Sequence, residues 1–262
     1  MIVETLSKQA ARAAYGWGRP KSWEDALTLL GKAADTGEAN AERQLELVTQ
    51  ARIDELLTPP APQWLSNISK VGACRGFAPP GFSEWLIDQA IGRLSPARVI
   101  EGTGARAVRT ASAFGFGPQQ RDLILGIMQE RAERLFGVPV EFHEPPNAIS
   151  YEVGQEFSLH ADFIDPHVPE FRAELQRMGQ RTATIVTYLN EDFEGAETLF
   201  PDANVRFRGQ TGDAVAFANV LSDGNPDYNS RHCGLPPVRG TKWVLSQWIR
   251  SKPFRYPPKV LM

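Results

Sequence analysis

Cysteine is scarce in this chain of 262 residues, which contains only Cys74 and Cys233. Closely spaced cysteine pairs are the usual sign of a zinc knuckle or a redox dithiol, and their absence argues against both kinds of site. We expect two reduced thiols rather than a disulfide. A chain of this length can bury a sufficient apolar core without covalent or metal cross-links.

The sequence also has no long apolar run and no excess of basic charge. No segment approaches the roughly 20 apolar residues that span a bilayer, and the first residues have no continuous apolar stretch of the secretory type. The formal net charge of −3 gives no broad basic field for nucleic acid or anionic lipid. We therefore predict a cytoplasmic protein with neither a nucleic-acid partner nor a membrane partner.

Helical spacing of apolar residues dominates the N-terminal part of the chain. From Ser22 to about Leu57, leucines, alanines and other apolar residues recur every three or four positions, with a break at Thr36-Gly37. This pattern predicts a helical hairpin, and its alanines resemble those of a single Sel1-type repeat. One such repeat cannot bury its own apolar face, so we expect it to pack on the rest of the chain, with docking of a protein or a dimer contact as a further role.

Adjacent prolines mark the predicted boundary of this helical segment. The run from Pro59 to Trp64 contains prolines that stop a helix and favour extended chain. We therefore divide the chain into an N-terminal helical segment, residues 1–60, and a main domain, residues 61–262. In the main domain we predict one helix from Ser83 to Leu94, with Ser83 as its N-cap, and a longer one from Pro118 to Phe136.

The character of the sequence changes at Val138. Short runs rich in β-branched and aromatic residues follow, separated by turn residues, among them ISYEV, TATIVTYL and KWVLSQWI. Such runs are typical of a sandwich, barrel or jelly roll and not of a parallel α/β sheet. The predicted fold class is therefore α+β, with helices that buttress a β-rich core.

Potential metal ligands occur in two of these β-rich regions. His160 and Asp162 are two residues apart, so on a strand both side chains project from the same face. Together with His232 they form the two-histidine, one-carboxylate set of non-haem Fe(II) oxygenases, which leaves coordination positions open for a chelating cosubstrate and dioxygen. Lys242, on the next predicted strand, supplies a positive charge for the far carboxylate of 2-oxoglutarate in an apolar cavity.

A series of short motifs extends over about residues 149–250, with weaker similarity upstream from about Arg109. Its residues, in chain order, are Tyr151, Gly154, Gln155, His160, Asp162, Arg181, Thr184, Tyr188, Leu189, Asn190, Glu197, Thr198, Phe200, Pro201, Gly212, Asp213, Phe217, His232, Gly240, Lys242 and Trp243. Their order and spacing resemble those of the prolyl 4-hydroxylase-like 2-oxoglutarate and Fe(II)-dependent dioxygenases.

This resemblance implies a double-stranded β-helix, a cupin-like jelly roll, with Fe(II) and 2-oxoglutarate as cofactors and ascorbate as a reductant. The implied metal ligands, which also form the catalytic centre, are His160, Asp162 and His232. The resemblance assigns Lys242 to the distal carboxylate of 2-oxoglutarate and makes Tyr151 and Thr184 secondary contacts to the same molecule. The implied residues on the substrate side are Trp243, Trp248 and Arg250.

The implied reaction is hydroxylation of an unactivated C–H bond, with 2-oxoglutarate converted to succinate and CO2. The substrate is a prolyl residue of a peptide or protein, or alternatively a free amino acid or small metabolite; a non-catalytic sensor of 2-oxoglutarate or metal is the third hypothesis. Departures from the family pattern at Phe157, Gly195-Ala196 and Arg250 lie on the substrate side. We expect residues 163–180 to form a loop over the iron, whose openness separates peptide from small-molecule substrates.

Overall fold

The computed structural model describes residues 4–97 and 109–255. The α-helices within these ranges are α1 (Leu6–Tyr15), α2 (Trp23–Asp35), α3 (Ala41–Val48), α4 (Ile53–Leu57), α5 (Phe82–Ala90), α6 (Leu123–Phe136) and α7 (Arg172–Met178). The strands are β1 (Gln63–Trp64), β2 (Val71–Cys74), β3 (Ser95–Pro96), β4 (Ser112–Gly115), β5 (Asn147–Tyr151), β6 (Phe157–His160), β7 (Arg181–Tyr188), β8 (Phe193–Gly195), β9 (Thr198–Phe200), β10 (Val205–Phe207), β11 (Ala214–Ala218), β12 (His232–Gly234), β13 (Pro237–Gly240) and β14 (Lys242–Arg250).

The strands form two main antiparallel sheets and a small two-stranded sheet. The larger sheet has eight strands in the order β1-β2-β11-β7-β14-β5-β4-β3, and the smaller has four in the order β10-β9-β12-β6. Strand β13 pairs with β8 outside both sheets. Because neighbours in the sheets are often distant in sequence, the chain passes repeatedly from one sheet to the other, as in a jelly roll.

Two apolar clusters cover the two faces of the eight-stranded sheet. Between the sheets, the cluster contains Ile149, Tyr188, Phe200, Phe217 and Val244, all nearly inaccessible to solvent. On the opposite face, the sheet packs against the helices through a second cluster with members from both, among them Leu30, Trp85, Ile124 and Leu245. The larger sheet is therefore covered on both faces, and aromatic side chains fill the space between the two sheets.

Helix α6 occupies the centre of the helical layer. Its residues from Leu123 to Ala132 are all buried, and α1, α3, α4 and α5 pack around it. The carboxylate of Asp122 caps the helix by accepting from the N–H of Leu125 and also accepts from the indole N–H of Trp85 at 2.8 Å. The guanidinium of Arg131 donates to the carbonyl of Leu56 in α4 and to the carbonyls of Gly76 and Phe77, which follow β2. This helix links the N-terminal helices to the sheet.

The N-terminal segment contains more helices than the two of the predicted hairpin. Helices α2 and α3 correspond to it, but α1 precedes them, and the second predicted helix is divided between α3 and α4. The interruption begins at Thr49, whose hydroxyl donates to the carbonyl of Leu45 at 2.7 Å and closes the last turn. The expected packing on the rest of the chain is observed. The division into residues 1–60 and 61–262 stays a prediction.

Two predicted helix starts were wrong. Helix α5 begins at Phe82 after Gly81, which has a positive φ of 79°, so Ser83 lies inside the first turn and is not the N-cap. The second helix does not begin at Pro118: residues 118–120 form one 3-10 turn, and α6 begins after Asp122. The side chain of Asp122 caps α6, whereas α5 begins after Gly81 without a side-chain cap.

The structure describes the two cysteines and the lengths of the helices. Cys74 and Cys233 are both free thiols. In the described part of the chain, none of the helices combines the length and the apolar character needed to cross a bilayer.

Candidate metal centre

Strand pairing brings the two predicted histidine ligands side by side. β6 pairs with β12 so that His160 lies directly opposite His232, and their ring centroids are 4.2 Å apart. Asp162 follows just after the end of β6, with Oδ1 3.6 Å from Nε2 of His160 and Oδ2 3.8 Å from Nε2 of His232. One potential ligand atom from each of the three buried residues thus lies within 4.8 Å of the others.

Backbone carbonyls orient both imidazoles. Nδ1 of His160 lies 2.8 Å from the carbonyl oxygen of Ser158, and Nδ1 of His232 lies 3.1 Å from that of Ser230. Because a carbonyl oxygen can only accept, each Nδ1 carries a proton and each Nε2 presents its lone pair to the carboxylate side. Hydrogen bonds of this kind fix the tautomer of metal-binding histidines. Two such imidazoles and a carboxylate are a donor set that fits Fe(II).

The buried ligand groups favour the charge states that metal binding requires. Burial, together with the nearby His160, lowers the pKa of His232 to about 4, so this imidazole is neutral near pH 7. Burial on its own raises the pKa of the Asp162 carboxyl, but the adjacent His232 and His160 outweigh it and hold that pKa well below its usual range. A neutral imidazole and an ionised carboxylate bind a divalent cation without first losing protons.

Lys242 brings a positive charge into the same cavity. It opens β14 opposite Tyr151, and only 3% of its surface is exposed. Its Nζ donates to the carbonyl of Ala196 at 2.7 Å and lies 4.7 Å from the ring centroid of Tyr188. Across residues 4–97 and 109–255, no carboxylate lies within ion-pair distance of this ammonium. Burial lowers the pKa of Lys242 to about 7, against a smaller opposing effect of Glu197.

A buried ammonium without a carboxylate partner is costly, so this end of the cavity favours an anionic ligand. The cavity contains the predicted ligands and the lysine together, and its walls include Tyr151, Phe157, His160, Asp162, His232, Lys242 and Trp248. The cavity therefore presents a metal-binding group and a cation to the same ligand, a combination that suits a dicarboxylate such as 2-oxoglutarate.

Known proteins share both this sequence pattern and this fold. The profile of the 2OG-Fe(II) oxygenase superfamily matches residues 146–250. Prolyl 4-hydroxylase 1 of Arabidopsis thaliana is 30% identical over 209 residues, which cover 73% of this chain and 72% of the plant protein. This chain belongs to the prolyl 4-hydroxylase-like 2OG-Fe(II) oxygenases.

Solved structures of prolyl hydroxylases share the fold of this oxygenase. The viral collagen prolyl hydroxylase from Paramecium Bursaria Chlorella virus-1, in complex with 2OG, matches with a TM-score of 0.54 at 21% identity, over 71% of this chain and 98% of that chain. The Trichoplax adhaerens prolyl hydroxylase in complex with a hypoxia inducible factor peptide fragment matches with a TM-score of 0.53 at 14% identity, over 82% and 94% of the two chains.

These comparisons confirm several predictions for the oxygenase. The fold is the predicted double-stranded β-helix within an α+β chain. The protein is a 2-oxoglutarate-dependent dioxygenase, and its cofactors are Fe(II) and 2-oxoglutarate. The individual residue assignments stay predictions, and the structure shows where each of those side chains lies.

The two predicted secondary contacts to the cosubstrate differ in their surroundings. Tyr151 lines the cavity, and its hydroxyl lies 3.5 Å from a guanidinium nitrogen of Arg109. The hydroxyl of Thr184 is directed at the proposed metal ligand instead, because its Oγ1 donates to Oδ2 of Asp162 at 2.8 Å.

Alternation along β14 separates the predicted substrate-side tryptophans. Lys242, Ser246 and Trp248 point into the cavity of the oxygenase. Trp243 belongs to the apolar cluster on the helical side of the sheet. The two tryptophans are five residues apart, so a strand places them on opposite faces, and only Trp248 reaches the cavity.

Arg250, the third predicted substrate-side residue, is enclosed by protein groups. Its guanidinium donates to the carboxylates of Glu144 and Glu174 and to the carbonyl of Gly179. Glu144 also accepts two hydrogen bonds from Arg181, at 2.6 and 2.9 Å. Burial raises the pKa of Glu144, but the two arginines outweigh it and keep that pKa below its usual range. With its donors engaged in this buried network, Arg250 is not directed into the cavity.

The segment from residue 163 to residue 180 is not the predicted loop throughout. It contains α7, whose sequence RAELQRM is rich in strong helix formers. Gln180 binds both backbone groups of Ile164, accepting from its N–H at 2.7 Å and donating to its carbonyl at 2.6 Å. The contact of Glu174 with Arg250 ties α7 to the end of β14. The segment is therefore partly helical and anchored, and none of its residues is among those that line the cavity.

Two residues near the centre were missed by the sequence analysis. The guanidinium of Arg109 lies 4.4 Å from the ring centroid of Phe157, which in turn stacks on His160 at 3.4 Å. Asn219 donates from Nδ2 to Oγ1 of Thr184 at 2.8 Å. Arg109 lies upstream of the motif region, where the resemblance is weak, and the only local sign of Asn219 is a polar residue directly after the apolar strand AVAFA.

Proposed function

We propose that this dioxygenase hydroxylates a prolyl residue in a peptide or protein, with Fe(II) bound by His160, Asp162 and His232. The observation that carries the metal assignment is the convergence of these three side chains, with ligand atoms within 4.8 Å of one another. When bound, iron with 2-oxoglutarate and dioxygen supplies the hydroxylating chemistry and yields succinate and CO2.

The protein's own groups determine where that chemistry takes place. Lys242 anchors the distal carboxylate of 2-oxoglutarate, with Tyr151 beside it in the cavity. Trp248 forms part of the wall and is held rigid by Arg181, whose guanidinium lies 4.6 Å from the centroid of the indole ring. A rigid apolar wall excludes water and limits which C–H bond of the substrate approaches the metal.

The assignment of a peptidyl substrate is supported from two sides. The relatives described above are prolyl hydroxylases by name, and one was solved with a peptide fragment. In this chain Trp248 lines the cavity, and its buried indole N–H has no hydrogen-bond partner among the described residues, which is costly unless a ligand supplies an acceptor. Tyr228 packs edge-on against Phe163 and is 49% exposed, so its ring is an aromatic surface open to a substrate.

The cofactor part of the proposal is tested by anaerobic titration of the metal-free protein with Fe(II) and 2-oxoglutarate. We expect the weak visible charge-transfer band of a chelated keto acid in the wild type and none in His160→Ala. Folded wild-type protein that produces no band would overturn the assignment of the metal centre.

The substrate part is tested by succinate release in the presence of Fe(II), ascorbate and dioxygen. Synthetic peptides that contain proline are compared with free L-proline and other free amino acids. We expect peptides to stimulate succinate release and to gain one oxygen atom on proline by mass spectrometry. Stimulation by a free amino acid alone would replace the substrate class, and binding of both cofactors without any turnover would favour a sensor.

A further inference from the structure

We infer that Thr184 and Asn219 are positioning residues that hold the Asp162 carboxylate for the metal, an inference that rests on the proposed function. All three residues are buried, and Thr184 and Asn219 are completely inaccessible to solvent. Asn219 donates to Thr184 at 2.8 Å, and Thr184 donates to Oδ2 of Asp162 at 2.8 Å. The three side chains form one chain of hydrogen bonds that ends on the proposed ligand.

The direction of this chain follows from the chemistry of its members. A hydroxyl has one proton to donate and lone pairs with which to accept, whereas an ionised carboxylate can only accept. Because the amide of Asn219 donates to Oγ1 of Thr184, the hydroxyl proton is left for Asp162. Asn219 thus determines which way the hydroxyl of Thr184 points.

Backbone contacts keep Asn219 in place. Its N–H donates to the carbonyl of Thr182 at 2.9 Å, and its carbonyl accepts from the N–H of Asp227 at 3.0 Å. Thr184 lies on the central strand β7, opposite Phe217 of β11 and Trp248 of β14. Both donors are therefore carried by the framework of the sheet and do not depend on a mobile loop.

The consequence for the metal is a carboxylate with one oxygen already engaged. Oδ2 accepts from Thr184 and lies 3.8 Å from Nε2 of His232, whereas Oδ1 lies 3.6 Å from Nε2 of His160 and receives no hydrogen bond from Thr184. A carboxylate held in this way is oriented before the metal arrives and is discouraged from taking two coordination positions. Those positions are the ones a chelating cosubstrate and dioxygen require. Partners of ligating carboxylates typically contribute about 10-fold to 100-fold in metal affinity.

The experiment measures Co(II) binding to the metal-free protein by its visible absorption, which needs no turnover. We expect Thr184→Val, which keeps the shape but removes the hydroxyl, to raise the Kd by about 10-fold to 100-fold and to change the band pattern. Thr184→Ser keeps the donor and should restore binding. The matched control is Thr187→Val, a buried threonine of the same strand that faces the helical side.

Asn219→Ala provides the second arm. We expect a smaller loss of affinity, and no further loss when Asn219→Ala is combined with Thr184→Val, because Asn219 acts through the hydroxyl. Thermal unfolding of each metal-free variant is measured in parallel. Variants of Thr184 and Asn219 that unfold more easily but bind Co(II) as the wild type does would overturn the inference. Wild-type protein that fails to bind Co(II) would instead overturn the proposed function.

Discussion

The two faces of the eight-stranded sheet bury different kinds of side chain. On the helical face, β14 contributes Trp243 and Leu245 to an apolar cluster shared with α5 and α6. On the inner face, the same strand contributes Lys242, Ser246 and Trp248 to the cavity that contains the metal ligands. One face is packed for stability, whereas the other places a buried ammonium and a tryptophan in the wall of a cavity.

This difference shows that strand alternation separates stability from chemistry within a single segment. Consecutive residues of KWVLSQWI serve the two faces in turn. A shift of the strand by one residue would place the lysine among the helices and the apolar side chains in the cavity, so the register of β14 against β5 and β7 is essential to both. Substitutions on the two faces should therefore have separable effects.

The largest effect is expected from His160→Ala on the inner face. Loss of a ligand should exceed the roughly 100-fold effect of losing a residue that only supports a ligand. We therefore expect succinate release to fall below detection while the thermal unfolding midpoint changes little. His143→Gln is the matched control, because His143 is buried outside the metal centre and in a different cavity. Normal iron-dependent turnover by His160→Ala would contradict the assignment.

Leu245→Ala should affect the helical face alone. Removing a fully packed leucine lowers the free energy of unfolding by about 2 to 5 kcal/mol, as measured by chemical denaturation. Turnover per folded molecule and the KM for 2-oxoglutarate should stay at wild-type values, because Leu245 does not reach the cavity. Leu245→Met, which nearly conserves volume, should cost less than about 1.5 kcal/mol. A changed KM in Leu245→Ala would show that the two faces are coupled.

Lys242→Met should have the opposite effect to Leu245→Ala: cosubstrate binding should weaken while stability is retained. Removing one partner of a buried charge pair typically costs about 2 to 5 kcal/mol of binding, so the KM for 2-oxoglutarate should rise about 30-fold or more. Co(II) affinity and the free energy of unfolding should not fall, because the ammonium has no carboxylate partner among the residues that the structure describes. The exposed Lys252 serves as the control in Lys252→Met. An unchanged KM would mean that another group anchors the cosubstrate.

The smallest effect is a pH dependence of cosubstrate binding. The pKa of Lys242 is lowered to about 7 by burial, and an anionic ligand binds the protonated form. As pH rises above about 7 the free protein loses this proton, so the KM for 2-oxoglutarate should rise about tenfold per pH unit. Below pH 7 the KM should level off. The profile should be flat in Lys242→Met, and a flat profile in the wild type would contradict the role of the lysine charge.

The sequence predicted the metal centre more completely than its surroundings. The three proposed ligands and Lys242, which the structure brings into one cavity, could be proposed because residue type, order and spacing are all visible in the sequence. The contacts of Glu144 with Arg250, and of Asn219 with Thr184, join residues far apart in sequence and depend on which strands become neighbours. Local patterns do not specify that pairing. Helix starts were misplaced where a cap such as Asp122 competed with a plausible alternative.

The central position of α6 determines how much of the chain the enzyme needs in order to fold. This helix is buried from Leu123 to Ala132 and packs against four other helices, although it lies entirely upstream of residues 146–250, where the family profile matches. A segment excised at the limits of that match would lose the support behind β5 and β14 and would leave their outer faces bare to water. The proposed metal ligands and Lys242 are thus concentrated in the last part of the chain, but the part that must fold as one piece is larger.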